Sequence, residues 1–155
     1  MLIRAATPAD ARQMADVLNA VIALGGTTAH EHPKSETQVR ESYVTGPHVL
    51  SSVVAELDGR VIGWQSVEHW KGEAHIGTFV QPGLQAKGTG WRLFEETCAT
   101  LRPKDVRWII ASIRADNVPG LAYYARIGFR DIGAKPDFAL SDGRKVGRIH
   151  RRFDL

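Results

Sequence analysis

The chain has 155 residues, 43% hydrophobic and 24% charged, with 20 Lys and Arg against 17 Asp and Glu for a net charge of +3. That length suits one domain with its own core over residues 1–155, and that composition excludes a long disordered or fibrous chain. No run of about 18 apolar residues is present and Met1-Leu2-Ile3-Arg4 lacks the pattern of a secretory leader, so no membrane partner is expected and the cytoplasm is the expected compartment.

A first strand, Leu2 to Arg4, runs into Thr7-Pro8-Ala9-Asp10, where Thr7 suits a cap, Pro8 the first helical position and Asp10 the positive end of a helix. Met14, Val17, Leu18, Val21 and Ile22 then recur at three- and four-residue steps until Gly25-Gly26. After a polar loop, Thr27 to Lys34, the run Ser35-Glu36-Thr37-Gln38 reads as a capping box for a second helix that Gly46-Pro47 stops. Val49 to Glu56, Val61 to His69 and Ala74 to Val80 are β-rich runs separated by Asp58-Gly59 and Lys71-Gly72, which predicts an antiparallel meander. A helix follows over Trp91 to Leu101, stopped by Pro103, then a strand from Arg107 to Arg114 and a fourth helix from Pro119 to Ile127, ended by Gly128. The remainder reads as a hairpin turning at Ser141-Asp142-Gly143. The strands ending at Val80 and starting near Arg107 flank a helix, so they are expected to be parallel neighbours. The architecture is α/β, with helices on both faces of a mixed, largely antiparallel sheet.

The chemistry concentrates in Gln85-Ala86-Lys87-Gly88-Thr89-Gly90, a strand-to-helix junction. Free backbone N–H groups and the positive end of a helix make such a junction an anion site, and glycines let a phosphate approach the backbone. A nucleotide P-loop needs Lys after its last Gly, and here Lys87 precedes Gly88. A dinucleotide motif needs a third Gly and a parallel sheet before it, and neither is present. The basic residues are scattered without a nucleic-acid-binding signature, so nucleic acid is not an expected partner. Cys98 has no second cysteine for a disulfide and reads as a packed side chain. His30-Glu31-His32 reads as an exposed loop rather than a metal site, and no metal is expected.

The run Val80-Gln81-Pro82 followed by Gln85-x-x-Gly88-x-Gly90 resembles the acetyl-CoA pyrophosphate loop of the GCN5-related N-acetyltransferase (GNAT) superfamily. Downstream, Asn117, Tyr124 and Gly128-Phe129 are similar to that superfamily's second signature. The order of elements matches over essentially the whole chain, and the region from Asn19 to Ala29 most resembles the phosphinothricin/methionine sulfone acetyltransferase-like branch. The resemblance implies a GNAT fold with a twisted sheet of about seven strands and four helices. It implies acetyl-CoA as co-substrate, direct transfer to the primary amine of a small molecule such as an amino-acid analogue, and no metal. Exposed sheet edges in this fold leave a homodimer open. Protein N-terminal or lysine acetylation and a non-catalytic acyl-CoA-binding module are the alternatives.

Residue by residue, the resemblance assigns the cofactor to Phe79, Val80, Gln85, Ala86, Lys87, Gly88, Thr89, Gly90 and Trp91, with a backbone N–H near Val80 meeting the thioester oxygen. Asn117 is either a further cofactor contact or simply the cap of the fourth helix. Tyr124 is implied as the general acid for the departing thiolate, with Tyr123 as its control. For the base, His75 stands where related enzymes often place a carboxylate, Glu73 shares its face by alternation, and a water chain is the third option. Trp64, Trp70 and Trp91 fit core packing better than a substrate cavity.

Overall fold

The computed structural model describes residues 1–84 and 88–155, the side chains of 136–138 excepted. Its strands are β1 (Leu2–Ala5), β2 (Val49–Leu57), β3 (Arg60–Trp70), β4 (Glu73–Val80), β5 (Trp108–Arg114), β6 (Arg130–Ala139) and β7 (Lys145–Asp154), and its α-helices are α1 (Ala11–Leu24), α2 (Glu36–Arg40), α3 (Thr89–Leu101) and α4 (Val118–Arg126). The strands form one sheet in the order β1-β2-β3-β4-β5-β7-β6. All neighbours are antiparallel except β4 and β5, which the α3 crossover makes parallel.

The local signals account for most of this framework. Asp58-Gly59 and Lys71-Gly72 place both central residues at positive φ, as a two-residue hairpin turn requires, and Lys71 accepts the strain of about 1–2 kcal/mol that a side chain meets there. Ser35 closes the expected capping box: its hydroxyl accepts from Gln38 N at 3.1 Å, and its own N–H donates to Gln38 Oε1 at 2.8 Å. Beyond Arg40 the helix widens into a π-type turn over Glu41–Thr45. Gly46 ends it because a Cβ there would lie 2.1 Å from the Glu41 carbonyl oxygen.

Two boundaries differ from the expectation. Pro8–Asp10 forms a 3-10 turn ahead of α1, because Asp10 turns back to accept from the Thr7 N–H and from both arms of the Arg4 guanidinium. Pro103 does not stop α3 directly; it lies inside a 3-10 turn, Arg102–Lys104, that continues the helix.

Helices cover both faces. On the front, α1 buries Met14, Val17, Leu18 and Val21 against Val54, Trp64 and Phe79. On the back, Phe94, Cys98 and Leu101 of α3 and Tyr124 of α4 pack on Val67, Ile109, Ala111 and Ile113. Among the described residues, no helix is long and apolar enough to cross a membrane.

One gap in the sheet positions the site. β4 and β5 pair only at Ala74/Ile109 and His75/Ile110, after which β4 runs on to Val80 and β5 to Arg114 without register partners between them. Each keeps its other neighbour throughout, β3 for β4 and β7 for β5, so the sheet stays intact while a wedge opens at its middle.

Candidate active site

Alternation along β4 sends Ala74, Ile76 and Thr78 to the back face and Glu73, His75, Gly77 and Phe79 to the front. On the back, the Tyr124 hydroxyl lies 2.9 Å from Thr78 Oγ1. Its ring packs edge-on to Phe129, and burial holds the phenol well above its ordinary pKa. The phenol is protonated at neutral pH and stands beside the open half of β4, and its raised pKa makes it a weaker acid than a free phenol.

Tyr123 occupies a different place. Its hydroxyl donates to the Gly90 carbonyl at 2.8 Å and accepts from Gln65 Nε2 at 3.1 Å. Its pKa is pushed up to about 12, chiefly by burial. A Cβ on Gly90 would stand 2.6 Å from the Tyr123 ring, so Gly90 is required by helix packing. Gly88, the residue before α3, has φ +80° and open space where a Cβ would stand, so it serves the turn and leaves the backbone approachable.

On the front, His75 is the last β4 residue paired with β5 and therefore stands at the apex of the wedge. Its ring meets Trp70 edge-on at 5.1 Å, and burial lowers its pKa, an effect that Glu73 opposes and His150 reinforces. The pair His75 and Glu73 is thus brought together on one face. Sequence reasoning missed two neighbours. Glu68 on β3 is the register partner of His75, accepts from Ser66 Oγ at 3.0 Å and has its pKa pushed up to about 7 by burial. Tyr43 projects from the turn after α2 toward Glu68, and its hydroxyl lies 3.1 Å from His30 Nε2. Counting alternate positions from Trp64 through Ser66 to Glu68 could have found the carboxylate on the covered face.

The other predicted residues separate. Asn117 caps α4 by accepting from Gly120 N at 3.0 Å, and its amide donates to Thr27 O at 3.1 Å, joining α4 to the Thr27 to Lys34 loop. Phe79 packs between Trp64 and His30, while Val80 ends β4 at the open side of the wedge. Thr89 is buried in the first turn of α3. Gln85, Ala86 and Lys87 lie outside the described residues. The three tryptophans do not share a fate: Trp64 is fully buried with Nε1 donating to Met14 O, whereas Trp70 and Trp91 are half exposed, correcting the core assignment for those two. Trp91 instead lines a groove of about 470 Å³ with Phe94, Cys98, Ile127 and Phe153. Burial raises the Cys98 thiol above its ordinary pKa, which suits packing and not nucleophilic attack. Glu31 accepts from Ser141 N and Oγ, tying the Thr27 to Lys34 loop to the terminal hairpin. Among the described residues no group of three His, Cys, Asp or Glu could hold a metal.

Several known proteins are similar to this chain in sequence or in fold. A protein of Bacillus subtilis (strain 168) named "Putative phosphinothricin acetyltransferase YwnH" is 26% identical over 152 residues, which span 94% of this chain and 93% of that one. A mycothiol acetyltransferase of Clavibacter michiganensis is 29% identical over 118 residues, 71% of this chain but 38% of its own length. The crystal structure of a phosphinothricin acetyltransferase from Sinorhizobium meliloti, in complex with AcCoA, shares the fold with a TM-score of 0.86 at 21% identity over 99% of this chain and 88% of that one. Residues 19–129 match the family model described as the acetyltransferase (GNAT) family, and since that match spans most of the chain and contains the wedge, His75 and Tyr124, the chain belongs to the acetyltransferase (GNAT) family.

Proposed function

We propose that the protein transfers the acetyl group of acetyl-CoA directly to the primary amine of a small molecule, an amino-acid analogue of the kind its phosphinothricin-type relatives are named for. The observation that carries this reading is the pair of titratable side chains on the two faces of one strand at one opening: Tyr124 against Thr78 behind β4, and His75 at the apex of the wedge in front.

The residues present fit acetyl-CoA. The parted half of β4 has no β5 partner, and α3 begins at a left-handed Gly88 whose Cα faces open space. Phe79 and Val80 would hold the pantetheine arm through their backbone, and the N-terminus of α3, from Gly88 to Trp91, would hold the pyrophosphate. When bound, acetyl-CoA supplies an acetyl thioester. The chain's own part is to place donors and acceptors of protons. His75, neutral at working pH because burial lowers its pKa, accepts a proton from the attacking nitrogen, with Glu73 on the same face to favour the imidazolium that results. Tyr124 gives its proton to the departing sulfur while its oxygen accepts from the Thr78 hydroxyl, whose own oxygen accepts from Gln65 Nε2. Cys98, packed and with a raised pKa, takes no part, so no acyl-enzyme is needed.

The test is release of free thiol from acetyl-CoA over a panel of methionine sulfone, methionine sulfoximine, phosphinothricin and unmodified amino acids, with peptides as competitors. Turnover of a free amino-acid analogue in preference to peptides is the expected result. Preference for peptides would move the acceptor to proteins, and acetyl-CoA binding without any turnover would leave an acyl-CoA-binding module.

A further inference from the structure

Glu68 is a charged residue placed inside a strand under a covering helix, and the reaction as described makes no use of it. Val67 before it is buried on the back face, and His69 after it is exposed. Its own side chain lies on the front face beside His75, with Ser66 donating to it and the Tyr43 phenol above. Among the described residues it takes part in no ion pair. Burying a carboxylate without a cation is costly, and the group responds by holding its proton up to about pH 7. A half-buried carboxyl with no ion pair among the described residues, set beside the candidate base at an open wedge, has the chemistry of a receptor for an ammonium ion.

The inference rests on the acetyl-transfer reading above. We propose that Glu68 receives the ammonium group of the acceptor and takes its first proton, leaving His75 to take the second. An alkylammonium has three N–H bonds and the amide product one, so two protons must leave nitrogen. Glu68 accepts the first before attack and passes it to solvent. The N–C bond then forms, His75 accepts the second proton, the C–S bond breaks, and Tyr124 protonates the sulfur. His75 and Tyr124 return to their starting states by exchange with solvent, so one proton is released overall with CoA thiol and the acetylated amine. The acceptor class that follows is an amine charged at neutral pH, in preference to an aromatic amine or an alcohol. The other titratable groups facing this point are Tyr43 and His30 above it, Glu73 and His75 on β4, and His150 on β7.

The test reads Glu68 directly. Protein carrying carboxyl-13C glutamate, with the Glu68 resonance assigned by its loss in Glu68→Gln, is titrated with pH alone, with n-butylammonium chloride, and with butan-1-ol at matched ionic strength. The expected result is a midpoint near neutral that falls by a unit or more, a tenfold shift, with n-butylammonium alone. A midpoint that does not move, or that butan-1-ol moves equally, overturns the proposal whether or not any amine is acetylated. With an accepted amine in hand, Glu68→Gln is expected to lower kcat/KM tenfold or more and remove the acid limb near neutral pH while the KM for acetyl-CoA holds. An unchanged kcat/KM and pH profile would overturn the proton step. A midpoint that moves in a protein that acetylates nothing would overturn the transfer reading and the proton step with it, and leave the ammonium site standing.

Discussion

Behind β4, Thr78 is tied to Tyr124, and Tyr123 to Gly90 and Gln65, within a wall of Phe94, Phe129 and Phe153. In front of the same strand, His75, Glu73 and Glu68 are partly open, and the loop over them is held to the terminal hairpin by Glu31 and Ser141. The difference follows from what each face must do. A proton donor to an invariant leaving group gains from rigid packing, whereas the acceptor side must admit a molecule and hold groups whose charge changes.

Substitutions on each face test this division of roles. The greatest cost falls in the front-face core under α1: Trp64→Ala removes a fully buried ring and leaves the Met14 carbonyl without its donor, and should cost about 3–5 kcal/mol in chemical denaturation. On the back face, Gly90→Ala drives a methyl into the Tyr123 ring and should cost about 1–3 kcal/mol, with a double-mutant cycle against Tyr123→Leu showing coupling. Additive losses would mean that the ring is not the obstacle. On the front face the sign depends on pH. The raised pKa of Glu68 gives stability that is full below the carboxyl value of the unfolded chain, about 4.3, and is lost as pH rises through about 7. Glu68→Gln should therefore match the wild type only below about pH 4 and exceed it by about 1–3 kcal/mol near about pH 8.5, read from melting at both values. The smallest effect is at Trp70: Trp70→Ala should change stability by less than about 0.5 kcal/mol while shifting the His75 titration followed by NMR.

What could be read from the sequence was what local chemistry decides. Asp58-Gly59 and Ser35 to Gln38 fix a turn and a cap through contacts a few residues long, and the crossover from Val80 to Arg107 fixes β4 and β5 as neighbours. The parting of those strands after His75 depends on β3 and β7 holding them from opposite sides, a relation among distant segments. Glu68 was missed because its meaning comes from His75 across the strand pair and Tyr43 from another element. Gly90 was read as room for a phosphate, but its nearest neighbour is a ring 33 residues away. Tyr124 could be chosen over Tyr123 only by motif, since one helical step separates two rings that both reach the sheet.

That choice is also where the account is most directly exposed. Thiol release under single-turnover conditions, measured side by side for Tyr124→Phe and Tyr123→Phe with the same amine, separates a proton donor from a packing residue. Tyr124→Phe should slow transfer by about a hundredfold or more, while Tyr123→Phe stays within about a few-fold of the wild type. Equal losses, or a larger loss at Tyr123, would contradict the assignment of the back-face acid.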